Sequence, residues 1–195
     1  MSFKHFVIGV VGRSGAGKSS VAKIFQSDYG FTVIDADNIG HITLEENMPG
    51  VVAIFGSRIL NEKNEIDRGL LGDIVFSDPE KLKTLNSILH SEMKKKITRM
   101  LSEITNKLVL IDAALLFEIR LDELCDYIVS VEAPDGKIKS RLMKSRNWDS
   151  ARIENILKAQ EKPLSRKQDI DYVFFNNGDE DKLRKQVEFF ILAVL

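Results

Sequence analysis

FVIGVVGRSGAGKS, residues Phe6 to Ser19, decides the fold. Its first half, Phe6 to Val11, is a continuous apolar run cut off by a glycine-rich turn. That pattern predicts a strand buried on both faces of a parallel sheet. Its second half, Gly12-Arg-Ser-Gly-Ala-Gly17-Lys18-Ser19, fits GxxxxGK[ST]. The motif stands in the context it requires, after a strand and before a helix. Glycines let backbone N–H groups turn inward around phosphate oxygens, and the following helix adds positive potential at its N-terminus. Gly12, Ser14, Gly15, Ala16, Gly17, Lys18, Ser19 and Ser20 are therefore the expected nucleotide contacts. Lys18 brings a point charge to the β/γ-phosphates, and the Ser19 hydroxyl is a ligand for Mg²⁺. The segment predicts a protein that binds a nucleoside triphosphate.

The rest of the chain extends this start. Lys18–Tyr29 carries Val21, Ile24 and Phe25 at helical spacing and stops at Gly30. Thr32–Ile34 makes a second strand, completing a right-handed βαβ unit. From Asp37 to about Thr105 helical signals take over for about seventy residues, long for a crossover and suited to a substrate-binding module. Within it Asp78 caps a helix with Pro79 at its first position, and Leu82, Leu85, Ile88 and Leu89 make its apolar face. Strands resume at Leu108–Ile111, Tyr127–Val131 and Tyr172–Phe175. A closing helix from about Asp179 turns Leu183, Val187, Phe190 and Ile191 inward. Five strands alternating with helices predict an α/β fold with a doubly wound parallel sheet.

Composition narrows the class. The chain has 195 residues, with 28 Lys+Arg against 29 Asp+Glu and a formal net charge of −1. This length suits one α/β domain with insertions, and the balance gives no sign of a nucleic-acid partner. Positive charge gathers instead between Asp135 and Lys167, where Lys137, Lys139, Arg141, Lys144, Arg146, Arg152, Lys158, Lys162 and Arg166 outnumber the acids. Such a surface is expected to meet anions. The lone Cys125 excludes an internal disulfide, and its place beside a strand predicts a small packed residue. The N-terminal apolar run is too short for a signal peptide and no window approaches a membrane span, so a soluble, cytoplasmic protein is expected.

The stretch VIDADNIGH, Val33 to His41, sets two carboxylates, Asp35 and Asp37, at the end of the second strand. Read from residues alone, the pair could hold a metal, take a proton or cap a helix. A GTP-dependent switch would need an NKxD segment, and Asn106-Lys107 is followed by Leu108-Val109. The DxxG at Asp37–Gly40 is too short to restore that reading. A phosphoryl transferase needs an acceptor site, a carboxylate for the acceptor's proton and cations over the transferring group. The helical insertion, the Asp35/Asp37 pair and the basic helices supply these three.

The ordered series of motifs resembles the dephospho-CoA kinase family. Beyond the phosphate loop it comprises VIDAD with His41, IDRGLLGDIVF (Ile66–Phe76), LNSILH (Leu85–His90), ALLFE (Ala114–Glu118), RLM (Arg141–Met143), Gln160 and DYVFFNNG (Asp171–Gly178). The resemblance implies phosphorylation of the ribose 3′-hydroxyl of dephospho-CoA by ATP with Mg²⁺, the last step of coenzyme A synthesis, in a monomer or small homo-oligomer. It implies a nucleotide-binding core (1–36, 106–134 and 168–195), a helical acceptor-binding insertion (37–105) and a lid (135–167). Asp37 matches the family's catalytic aspartate, with Asp35 as its support. Arg141 matches a lid arginine on the ATP phosphates, with Arg146 as companion. Asp112 stands where a carboxylate near Mg²⁺ is expected, and Asp35, Asp37, His41, Arg68, His90 and Glu118 fall on acceptor-side positions. The chain departs from the family pattern at Val11, Ser91 and Ala114, and in the five-residue spacing of Arg141 and Arg146.

Overall fold

A computed structural model describes residues 5–146, 150, 153, 154, 157 and 167–195, without the side chains of Ser145, Arg146 and Lys167. In chain order the elements are β1 (Phe6–Val11), α1 (Lys18–Tyr29), β2 (Thr32–Asp35), α2 (Ala36–Glu46), α3 (Met48–Phe55) and α4 (Arg68–Phe76). Then come α5 (Pro79–Glu103), β3 (Leu108–Asp112), β4 (Tyr127–Glu132), α6 (Asp135–Arg146), β5 (Tyr172–Phe175) and α7 (Glu180–Val194). The chain divides into two compact units, one of residues 1–35 with 101–195 and one of Ala36–Met100.

The first unit holds a five-stranded sheet in the order β2-β3-β1-β4-β5 with every pair parallel. A strand flanked on both sides must be apolar on both faces, and Val7, Ile8, Val10 and Val11 of β1 are all buried. One face packs under α1 and α7, where Val21, Ile24, Phe25, Leu183, Val187, Phe190 and Ile191 join Ile8, Val10, Leu110, Val129 and Phe174 in one core. Phe25 is at its centre, with edge-on contacts to Phe31, Phe174 and Phe190. On the other face Gly9 leaves room for Leu116 and Cys125; a methyl group there would stand 2.6 Å from Leu116 Cδ1 and 2.8 Å from Cys125 Sγ. The Cys125 thiol donates to the Leu121 carbonyl at 3.3 Å. Burial, reinforced by Asp122 and Asp126, pushes its pKa up to about 12.

Strands β2, β3 and β4 each run one residue past the apolar run that announces them, taking in Asp35, Asp112 and Glu132. The sheet ladder continues where side chains turn from core to solvent, a point that hydropathy alone does not mark.

The second unit is helical, with its own core of Leu44, Val51, Phe55, Ile59, Leu71, Val75 and Leu85. Helix α4 starts at Asp67, whose carboxylate accepts from the N–H groups of Gly69 and Leu70. Helix α5 starts as its sequence predicts: Asp78 Oδ1 accepts from Glu80 N at 3.1 Å and Lys81 N at 3.3 Å. One antiparallel bridge, Leu60 with Ile66, interrupts the helices. It closes a turn in which the Asn61 side chain accepts from Lys63 and Glu65 N–H groups. Among the described residues no helix is long and apolar enough to cross a membrane.

Candidate active site

The phosphate loop lies between β1 and α1, at the carboxyl edge of the sheet. In an open α/β sheet this is where ligands bind, outside the strand ends. Gly17 caps α1 in the left-handed conformation at φ 106°, offering no side-chain oxygen, and the first turn holds no acid. The positive end of the helix is therefore left to a ligand's charge. Lys18 folds back over the loop, donating from Nζ to the Gly12 carbonyl at 3.2 Å. Ser19 and Ser20 are exposed on the first turn of α1, and Ser14 and Gly15 are half-buried in the loop.

The outer side of the loop is gripped by the chain that follows β4. Arg13 forms an ion pair with Asp135 at 2.7 Å. Arg141 Nη1 donates to the carbonyls of Gly15 at 3.2 Å and Ala16 at 3.1 Å. Its Nη2 donates to the backbone carbonyl and to Oδ1 of Asn176, at 3.2 and 3.0 Å. Gly15, at φ 78°, has Leu142 and Ile138 of α6 so close that a methyl group would stand 2.9 and 3.2 Å from them. So α6 packs directly on the loop, and the guanidinium expected on phosphates is bonded to loop backbone. Arg146 ends α6, and its side chain lies outside the described residues. Trp148, Arg152, Lys158, Gln160, Lys162 and Arg166 lie outside them too.

Two carboxylates stand together at the same edge. Asp35 and Asp112 are register partners on adjacent parallel strands. Partners in a parallel ladder point to the same side, with strands about 4.8 Å apart. Two residues earlier, the partners Val33 and Leu110 lie against the core beneath α1, so Asp35 and Asp112 project on the α1 side. Glu118 lies exposed on the turn that follows β3.

In the helical unit α2 begins at Ala36, directly after β2, with Asp37 in its first turn. His41 and Glu45 follow at intervals of four, on the same exposed face. Arg68, at the start of α4, closes this row with an ion pair to Glu45 at 2.7 Å. Helix α5 runs along α2: Met93 packs on Gly40, where a methyl group would be 3.1 Å from Met93 Cε, and Lys96 pairs with Glu46. His90 and Asp37 stand one turn earlier on these two helices.

The sequence profile of the dephospho-CoA kinase family matches residues 6–182. The chain belongs to the dephospho-CoA kinase family. A dephospho-CoA kinase of Borreliella burgdorferi is 42% identical over 192 residues, covering 96% of this chain and 94% of that one. A solved structure from Thermus thermophilus superimposes with a TM-score of 0.85 at 25% identity, covering 98% of each chain. The fold is also that of shikimate kinase from Acinetobacter baumannii, with a TM-score of 0.56 at 16% identity, covering 98% of this chain and 95% of that one. Membership makes this chain an ATP-using kinase. Against the dephospho-CoA kinase motifs, two residues had no assigned part in the sequence reading: Asn176, inside DYVFFNNG, and Glu45, the partner of Arg68. The four-residue spacing of Asp37, His41 and Glu45 was the available signal for Glu45. Nothing local to Asn176 signals a contact with a loop 160 positions away.

Proposed function

We propose that the chain transfers the γ-phosphoryl group of ATP to the ribose 3′-hydroxyl of dephospho-CoA, giving ADP and coenzyme A. The observation that carries this reading is the family match over residues 6–182. The bond from the γ-phosphorus to the β,γ-bridging oxygen breaks, and a bond to the 3′-oxygen forms in line with it. Asp37 takes the hydroxyl proton. What supports it is its place two residues after β2, exposed in the first turn of α2, together with its match to the family's aspartate. Lys18 offsets charge on the β- and γ-phosphates. Arg141 adds its charge from α6, and Arg146 is its companion. Gly12, Ser14, Gly15, Ala16, Gly17 and Ser20 complete the ATP contacts.

Mg²⁺ fits the oxygens of this unit. Ser19 and Asp112 would hold it, with Asp35 beside Asp112 as a second carboxylate. Among the described residues no three His, Cys, Asp or Glu side chains gather into a metal cage. That suits Mg²⁺, which binds through one or two carboxylates, waters and substrate phosphates. When bound, the ion neutralises charge developing on the phosphate oxygens. The helical unit supplies the acceptor side through His41, Arg68 and His90, joined by Glu118, and residues 135–167 act as the lid.

The test is acceptor choice. ADP release with dephospho-CoA should exceed that with shikimate, gluconate or a nucleoside monophosphate by at least about a hundredfold. Stimulation by one of those acceptors and not by dephospho-CoA would overturn the reading.

A further inference from the structure

Asn176, directly after β5, reaches the phosphate loop through a buried side chain. Its residue is 6% exposed, and its backbone N–H extends the β4–β5 ladder by donating to the Glu132 carbonyl at 2.7 Å. From that anchor Nδ2 donates to the Ala16 carbonyl at 3.0 Å. Oδ1 accepts from Arg141 Nη2 at 3.0 Å and from the Gly178 N–H at 3.3 Å. The orientation of the amide is fixed by these partners, since a flip would set oxygen against oxygen at Ala16 and N–H against guanidinium at Arg141.

We propose that Asn176 is a positioning residue that aims the phosphate loop's N–H groups at the nucleotide. This rests on the reading of the loop as the ATP site. In a trans peptide the carbonyl of one residue and the N–H of the next point in opposite directions. Holding the Ala16 carbonyl outward therefore turns the Gly17 N–H inward, to the phosphate side. The fit is close: a methyl group on Gly17 would stand 1.9 Å from Asn176 Nδ2. Gly17 is thus required by its left-handed backbone and by the amide packed against it. Arg141 is the second clamp on the same carbonyl, and Asn176 Oδ1 holds that guanidinium in place. β5, α6 and the loop are joined through one side chain.

The substitution Asn176→Asp keeps the acceptor for Arg141 and Gly178 but replaces the donor to Ala16 with an oxygen and adds a negative charge, so the uncharged Asn176→Ala is read beside it. Asn176→Ala removes both functions. For both variants we expect KM for ATP, and the Kd of ADP by calorimetry, to rise about tenfold or more, with KM for dephospho-CoA within about twofold. In spectra of ¹⁵N-labelled protein, the shift of the Gly17 amide on adding ADP should shrink in the folded Asn176→Asp variant. A folded Asn176→Asp protein with a lower melting temperature but unchanged ADP affinity would overturn the proposal and leave Asn176 a core residue only. Should neither variant fold, the wild-type titration decides. The Asn176 side-chain NH₂ and the Gly17 amide must then shift together at the same ADP concentrations. A Gly17 shift with Asn176 unmoved overturns the proposal. Absence of ADP binding by the wild-type protein would instead refute the ATP-site reading on which it stands.

Discussion

Asp35 and Asp112 are paired across β2 and β3, so two carboxylates end adjacent strands on the face that carries α1 and the phosphate loop. Two like charges at neighbouring positions repel unless a cation lies between or beside them. In the function proposed above, Asp112 stands on the metal side of the reaction. Asp112→Asn is expected to raise the Mg²⁺ concentration for half-maximal rate about tenfold while leaving KM for dephospho-CoA within about twofold. A Mg²⁺ titration of initial rates checks it. An unchanged Mg²⁺ requirement would remove Asp112 from the metal site.

Asp35 and Asp37 have separate surroundings, one ending a strand and the other opening a helix. Asp37→Asn should lower kcat by about 10²- to 10⁴-fold, the usual worth of a positioned acid or base, with ATP affinity little changed. Asp35→Asn should cost less and shift the Mg²⁺ dependence instead. Steady-state kinetics of both variants, with ADP binding measured in parallel, separate the two. If Asp35→Asn carries the larger loss in kcat, the base has been assigned to the wrong carboxylate.

Cys125 gives a pH-dependent signature of the fold. Its pKa is pushed up to about 12 in the folded protein by burial, above the ordinary thiol value of 9.0. Between these values the unfolded chain releases a proton that the folded chain keeps, so stability falls as pH rises. Its contribution is complete below about pH 9 and is lost toward pH 12 at up to about 1.4 kcal/mol per pH unit. Urea midpoints from pH 8 to 10.5 should fall more steeply for the wild type than for Cys125→Ala. Native protein at pH 7.5, in which Cys125 is half-buried, should also react with thiol reagents more slowly than the unfolded chain. Rapid modification under native conditions would contradict this packing.

Most of the framework was legible in the sequence because burial on both faces leaves an unbroken apolar signature. Phe6–Val11 and Tyr172–Phe175 keep the bounds their residues predict. The helix starts at Asp78 and Asp179 were legible for a chemical reason, a carboxylate that accepts orphan N–H groups. The strand ends at Asp35 and Asp112 were legible only to within one residue, because a polar side chain at the sheet's edge ends the hydropathy pattern before it ends the hydrogen-bonded ladder. For the site, the phosphate loop declares itself through glycines that its backbone cannot replace. Arg141 and Asn176 do not, because their meeting depends on three segments brought together only by the fold. A basic helix suggests phosphate as the partner of Arg141. Only the packing of α6 on Gly15 brings its guanidinium to carbonyl oxygens.

The central claim is transfer to one hydroxyl of one acceptor, and phosphorus NMR of the reaction mixture tests it most directly. With ATP, Mg²⁺ and dephospho-CoA, a new phosphomonoester resonance coupled to the ribose 3′-proton should grow in step with ADP, and should be absent with Asp37→Asn over the same interval. ADP accumulating at the same rate without dephospho-CoA, or phosphate appearing on another oxygen of the acceptor, would contradict the account.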